Sequence, residues 1–222
     1  MNVEQELNAY INEVSDNVYT QKSEIWRSLL AKREKGTSFE FSEMESFLSS
    51  TSRAASGTGD MAAFSARLKP ALDYLSEKLD NSLVQKVSGS KLGNPPEVRI
   101  NKVTSNLAHL WNLARIQDYL DYLFALKEKK NEALDILEIG PGYGCCAHVL
   151  ISLGIIKSYT CVDLNENLGT SVFFLTRNHP DWQVHFLRSG SGLSSKLKSL
   201  NFVSASEFDN LEKEQFDAVI NT

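Results

Sequence analysis

The hydrophobic rhythm of the chain changes once, near residue 133. Before that point apolar residues recur at helical spacing. Leu7, Tyr10, Ile11, Val14 and Val18, then Ile25, Trp26, Leu29 and Leu30, predict helix from residue 2 to about 35, with Gly36 as a C-terminal cap. Ser42 to Leu48 predicts a short helix, and the Ser-, Thr- and Gly-rich residues from Ser49 to Asp60 predict a loop. Met61 to Leu79 places Phe64, Leu68, Leu72 and Leu75 on one helical face, with a break or kink expected at Pro70. The Gly- and Pro-bearing stretch from Val87 to Pro96 predicts a turn. The strongest amphipathic pattern follows, from about Thr104 to Lys127, with a stripe running through Leu107, Leu110, Trp111, Ala114, Ile116, Leu120, Leu123 and Phe124. The run Lys127-Glu128-Lys129-Lys130 reads as a solvated helix end, where lysines suit the negative end of the helix dipole.

From Ala133 onward short apolar runs alternate with helical ones. Leu134–Ile139, Ser158–Val162, Asn201–Ser204 and Phe216–Asn221 predict strands, with a shorter one at Gln183–Leu187. Cys145–Leu153 and Glu166–Asn178 predict helices, the first capped by Gly154 and the second ended by His179-Pro180-Asp181. Ser189 to Ser195 reads as a polar loop. Strand and helix at this spacing imply βαβ units and a parallel sheet. The chain therefore divides into a helical region (1–90), a turn and long helix (91–133), and an α/β region (134–222).

Composition changes this picture little. The 222 residues suffice for one good-sized domain or two small ones, and 42% hydrophobic with 23% charged residues is ordinary for a globular protein. The net charge of −5 argues against a general nucleic-acid or anionic-membrane binder. Nothing at the N-terminus resembles a signal peptide, and no apolar run approaches the roughly 18–20 residues needed to cross a bilayer. Three cysteines, Cys145, Cys146 and Cys161, make no disulfide framework and point to a reducing, cytoplasmic setting.

The candidate chemistry lies where the first predicted strand ends. Ile136-Leu137-Glu138-Ile139-Gly140-Pro141-Gly142-Tyr143-Gly144 runs from a buried strand through an acidic residue into a glycine-rich loop and a helix. Glycines there adopt backbone angles other residues avoid and leave room for a ligand. A dinucleotide fingerprint wants G-x-G-x-x-G/A, and its sixth position here is Cys145, a poor match. Asp163 ends the next strand, where a carboxylate can accept hydrogen bonds from both ribose hydroxyls. A turn with no ligand remains the plain alternative for the glycines, and a solvated strand-end carboxylate for Asp163.

The run Glu138-x-Gly140-x-Gly142-x-Gly144 resembles the first motif of class I S-adenosyl-L-methionine (SAM)-dependent methyltransferases, and the segments Asn201–Phe208 and Phe216–Ile220 resemble the third and fourth motifs in order and spacing. More finely, Ile136–Gly144, Tyr159–Leu168, Phe216–Thr222 and the turn Leu92-Gly93-Asn94-Pro95 resemble the putative sugar O-methyltransferase family. That resemblance covers about residue 90 to the end. It implies a partial Rossmann-like α/β sheet preceded by an α-helical N-terminal region, an S-adenosyl-L-methionine cofactor, and O-methylation of a sugar or other small-molecule or glycan acceptor. By the same resemblance Glu138, Gly140, Gly142 and Gly144 line the methionine and ribose part of the cofactor. Asp163 holds the ribose hydroxyls, Leu164 packs near the adenine, and Ser204 lies near the adenine amino group. Many relatives carry an acid among the positions of Ser204, Ala205 and Ser206, and this chain carries none. Asn165 stands where the family often has proline.

The resemblance also implies a seven-stranded order, 3-2-1-4-5-7-6, of which this chain supplies the first four strands. A fourth strand left as an apolar edge, with Ala218, Val219 and Ile220, leads to the expectation that the chain is a piece of a longer protein. The residues that position the acceptor or remove its proton often follow that strand in the superfamily, so the sequence assigns no catalytic base. His109 on the long helix is a weak candidate for one. Cys145, Cys146 and His148 lack the further pair a zinc site wants, so packing is the favoured reading and no metal is expected. Trp26 and Trp111 read as core anchors. Rival functions are an NAD-dependent oxidoreductase or epimerase, which Asp163 suits and the glycine spacing does not, and a non-catalytic Rossmann module. The sequence sets no oligomeric state.

Overall fold

The computed structural model describes residues 2–14, 40–41, 73, 77, 87, 90–92, 97–100, 103–188, 191–211 and 216–221. The predicted elements over 15–39 and 42–72, including the Gly36 cap, Trp26 and the Pro70 kink, lie outside these residues. The chain forms two compact units. One combines residues 1–44, 135–143 and 158–222; the other combines 45–134 and 144–157.

The first unit is built on a five-stranded parallel sheet. Its strands are β3 (Leu134–Ile139), β4 (Ile156–Asp163), β5 (Gln183–Phe186), β6 (Ser199–Ser204) and β7 (Ala218–Asn221), in the spatial order β5-β6-β4-β3-β7. Each agrees with a predicted strand to within two residues. The order β6-β4-β3-β7 is the expected 3-2-1-4 arrangement, and β5 adds an outer edge strand beside β6. The inner strands β3, β4 and β6 are buried along most of their length, as inner strands of a parallel sheet are. Leu200, Phe202 and Val203 are fully buried, and Leu137, Val162, Leu187 and Val203 form a cluster on one face. At the other edge β7 buries Ile220 and exposes Val219.

Two helices of this unit matter for the site. Helix α1 (Val3–Glu13) starts with a capping box, in which Asn2 Oδ1 accepts from the Gln5 N–H and Gln5 Oε1 accepts from the Asn2 N–H. Its stripe of Leu7 and Tyr10 is fully buried. The helix stops at Glu13, because Val14 turns extended and its N–H closes on the Tyr10 carbonyl, so the predicted helix does not run unbroken to residue 35. Helix α4 (Asn165–Asn178) buries Leu168, Val172, Phe173, Phe174 and Leu175. It starts one residue before the prediction and ends where predicted.

In the second unit β1 (Glu97–Ile100) and β2 (Val103–Asn106) pair antiparallel, with Ile100 opposite Val103. This hairpin corrects the sequence reading, which assigned Thr104 onward to helix. Helix α2 begins only at Leu107 and runs to Lys130. Its Ile116, Leu120 and Leu123 are buried, as the stripe predicts; the side chains of His109 and Trp111 lie outside the description. Val87 is helical, so the predicted turn begins later than Val87; Leu92 lies in a turn. Helix α3 (Cys145–Ser152) buries all eight residues, which explains its lack of a polar face. It packs against α2. Gly154 follows its end with φ 67° and donates its N–H to the Ile151 carbonyl, the predicted capping role.

Candidate functional site

The chain passes from β3 outward to β4, on to the edge strand β5 and back one place to β6, and then crosses to the other side of β3 as β7. The sheet therefore reverses direction beside β3. In open parallel sheets that reversal leaves a crevice at the carboxyl ends of the strands, the usual place for a ligand. The glycine loop leaves β3 at this point.

Three glycines in and after the loop take left-handed backbone angles: Gly140 at φ 75°, Gly142 at 58° and Gly144 at 91°. Residues with a Cβ pay for that conformation, so glycine is required by the path of the chain itself. A Cβ placed on Gly142 would meet nothing within 4 Å among the described residues, so that side of the loop opens on space there. The Gly140 N–H donates to the Val162 carbonyl at 2.9 Å, which ties the start of the loop to β4. Tyr143 rests edge-on against Phe174 of α4, ring centroids 5.0 Å apart. Gly144 belongs to the second unit, where it forms the N-cap of α3.

Two acidic residues near the ends of adjacent strands, Glu138 one before the end of β3 and Asp163 at the end of β4, have different surroundings. Glu138 is only 1% exposed, and its Oε2 accepts a hydrogen bond from the Tyr159 hydroxyl at 2.9 Å. Asp163 is half-buried. Its Oδ1 accepts from the Leu164 N–H at 2.7 Å and from Asn167 Nδ2 at 2.9 Å. Asn167 lies on the first turn of α4, four residues on, so the helix start fixes the carboxylate. Leu164 is the N-cap residue of that helix and is half-buried.

Ser204 ends β6 directly opposite Asp163 in the strand register. It is 2% exposed and caps a short 3-10 helix, Ala205–Asn210. Its Oγ accepts from the Ser206 N–H at 3.2 Å and lies 2.7 Å from Ser206 Oγ. The Ser204 N–H donates to the Tyr10 hydroxyl oxygen at 2.7 Å, a contact between residues 194 positions apart. Burial pushes the Tyr10 phenol up to about 12, against the smaller opposing effect of the Ser204 hydrogen bond.

The structure thus brings Glu138, Gly140, Gly142, Asp163, Leu164 and Ser204 to the carboxyl ends of three neighbouring parallel strands. Tyr10, Tyr159 and Asn167 were not singled out as site residues from the sequence. The i, i+4 spacing of Asp163 and Asn167 was a usable signal; the other two are brought in by the tertiary fold. Cys145, Cys146 and His148 are buried along α3, and Cys161 is buried in β4. Among the described residues no group of three or more His, Cys, Asp or Glu side chains could hold a metal ion, and no helix is long and apolar enough to cross a membrane. Comparison with protein-family models, with curated proteins and with solved structures found no match to this chain.

Proposed function

We propose that the chain binds SAM as class I methyltransferases do and works in the cytoplasm on a hydroxyl of a sugar or glycan precursor. The observation that carries this reading is the pairing of the glycine loop at the sheet reversal with a fixed carboxylate, Asp163, on the adjacent strand. The residues present fit the cofactor. The open side of Gly142 leaves room for a ligand against the loop, and Asp163 is an acceptor of the kind a ribose diol needs. Leu164 beside it offers an apolar surface to a base. The buried Glu138, hydrogen-bonded to Tyr159, presents a carboxylate suited to a cationic or hydroxyl-bearing group.

When bound, SAM supplies an electrophilic methyl group on a sulfonium. The work of the protein is then alignment of the acceptor oxygen and exclusion of water. Asp163 would hold the sugar of the cofactor through a carboxylate whose own orientation is set by Asn167 and the Leu164 N–H. The loop glycines let the main chain approach without side-chain obstruction. Loss of the hydroxyl proton calls for a base, and none is assigned among the described residues.

Equilibrium dialysis with labelled SAM tests the reading. Retention that S-adenosylhomocysteine (SAH) competes away and NAD does not supports it. Retention of NAD with no binding of SAM would overturn it in favour of a nicotinamide enzyme.

A further inference from the structure

The buried Tyr10 hydroxyl has no place in the reading above, yet it sits at the end of the strand next to Asp163. Helix α1 is clamped to this end of the sheet at three points. The Tyr10 ring stacks on Phe186 of β5 with centroids 5.1 Å apart, and Phe186 leans on Phe202 of β6 at 5.8 Å. The Tyr10 hydroxyl holds the Ser204 N–H. Glu13, at the end of the same helix, pairs with Arg188 just beyond β5 at 2.8 Å. The first turn after β6 therefore depends on a helix from the other end of the chain. Ser204 and Ser206 in that turn are also locked to each other through their hydroxyls.

Position gives this turn a task. Asp163 on β4 lies between the glycine loop of β3 on one side and Ser204 of β6 on the other. A nucleoside held by its ribose at Asp163, with its 5′ substituent toward the loop, directs its base away from the loop. On that side, next to Asp163 in the strand register, lies the 204–206 turn with its serine hydroxyls and main chain. A base is discriminated there only if the donors and acceptors of the turn hold one fixed arrangement.

We infer that Tyr10 is a positioning residue that fixes the Ser204–Ser206 turn as the edge reading the adenine of the cofactor. This rests on the SAM reading above. Without the Tyr10 hydroxyl the buried Ser204 N–H loses its acceptor, and the turn relaxes to find another. Discrimination between bases then falls more than overall nucleoside binding does.

The experiment compares SAH with S-inosylhomocysteine, in which an oxo group and a ring N–H reverse the hydrogen-bonding pattern of adenine. Affinities are measured for the wild-type chain and for Tyr10→Phe. The expected result is a preference of wild type for SAH of about tenfold or more, as one misplaced buried hydrogen bond produces, reduced at least threefold by Tyr10→Phe. A merely structural role for Tyr10 would weaken both ligands equally and leave their ratio unchanged, and that result overturns the inference. Should wild type bind neither ligand, the SAM reading itself fails, an outcome distinct from a preserved ratio. Should Tyr10→Phe not fold, Ser206→Ala carries the test. A reduced preference supports the assigned edge, and an unchanged one overturns it.

Discussion

The two halves of the candidate site are built in opposite ways. At the ends of β3 and β4 the contacts are local or run only between these neighbouring strands, the glycine loop and α4. The glycine loop follows its strand directly, and Asp163 is held by Leu164 and by Asn167, both within one helical turn. At the end of β6 the arrangement is long-range, since Ser204 is held by Tyr10, 194 residues away. A local device survives wherever its short segment folds. A long-range device forms only when α1 is docked, so it ties one wall of the site to the integrity of the N-terminal helix. The two halves can therefore be broken separately.

The local half gives the largest expected effect. Gly142→Val puts a β-branched residue at φ 58°, at a strain of about 1–2 kcal/mol, and fills the open side of the loop. Calorimetric affinity for SAH is expected to fall by about 100-fold or more, while far-UV circular dichroism at 20 °C stays unchanged. Undiminished binding would mean that the loop is only a turn.

The long-range half has a signature in pH. Tyr10 ionises near 10 when exposed and is pushed up to about 12 in the fold. The folded state therefore favours the neutral phenol. The corresponding stability is complete below pH 10 and is lost as pH rises towards 12, by about 3 kcal/mol over the whole window. Chemical denaturation of wild type should show this extra fall between pH 10 and 12. Tyr10→Phe should show no such extra fall, and should be less stable at neutral pH by about 1–3 kcal/mol, because the buried Ser204 N–H is left without its partner. Equal pH slopes for the two proteins would contradict the buried contact.

A smaller effect is expected at Asp163. Asp163→Asn keeps an oxygen for Leu164 and Asn167 but removes the charge that strengthens bonds to a diol. SAH affinity should drop about tenfold, near 1.4 kcal/mol, with the melting temperature nearly unchanged. The smallest effect belongs to the outer clamp of α1. Glu13 and Arg188 are both well exposed, so Glu13→Gln should change unfolding free energy by less than about 1 kcal/mol, and less still at high salt. A larger loss would move the anchoring of α1 from Tyr10 to this ion pair.

The same contrast explains what could be read from the sequence. Strands β3 and β4 announced themselves because they are buried along most of their length and bounded by glycine or by a helix start. Gly140, Gly142 and Gly144 were legible because their backbone angles exclude other residues at little cost only to glycine. The hairpin of β1 and β2 was not legible: each strand has four residues, and Val103 and Thr104 merge into the helical stripe that begins at Leu107. Ser204 read as a ligand residue, whereas its hydroxyl also caps the 3-10 turn, a role the Ser204-to-Glu207 spacing could have suggested. Tyr10 read as one member of an apolar stripe, because helical spacing reports which face is buried and not what a phenol hydroxyl meets there.

The glycine loop and Asp163 are proposed to hold an adenosyl group together. Hydrogen exchange of the complete chain with and without saturating SAH tests it most directly. The predicted result is slowed exchange at residues 140–143 and 163–167, with a second protected stretch at 204–206. Tight binding of SAH with protection confined to other segments, or slowed exchange at the loop on adding NAD and not SAH, would contradict the account.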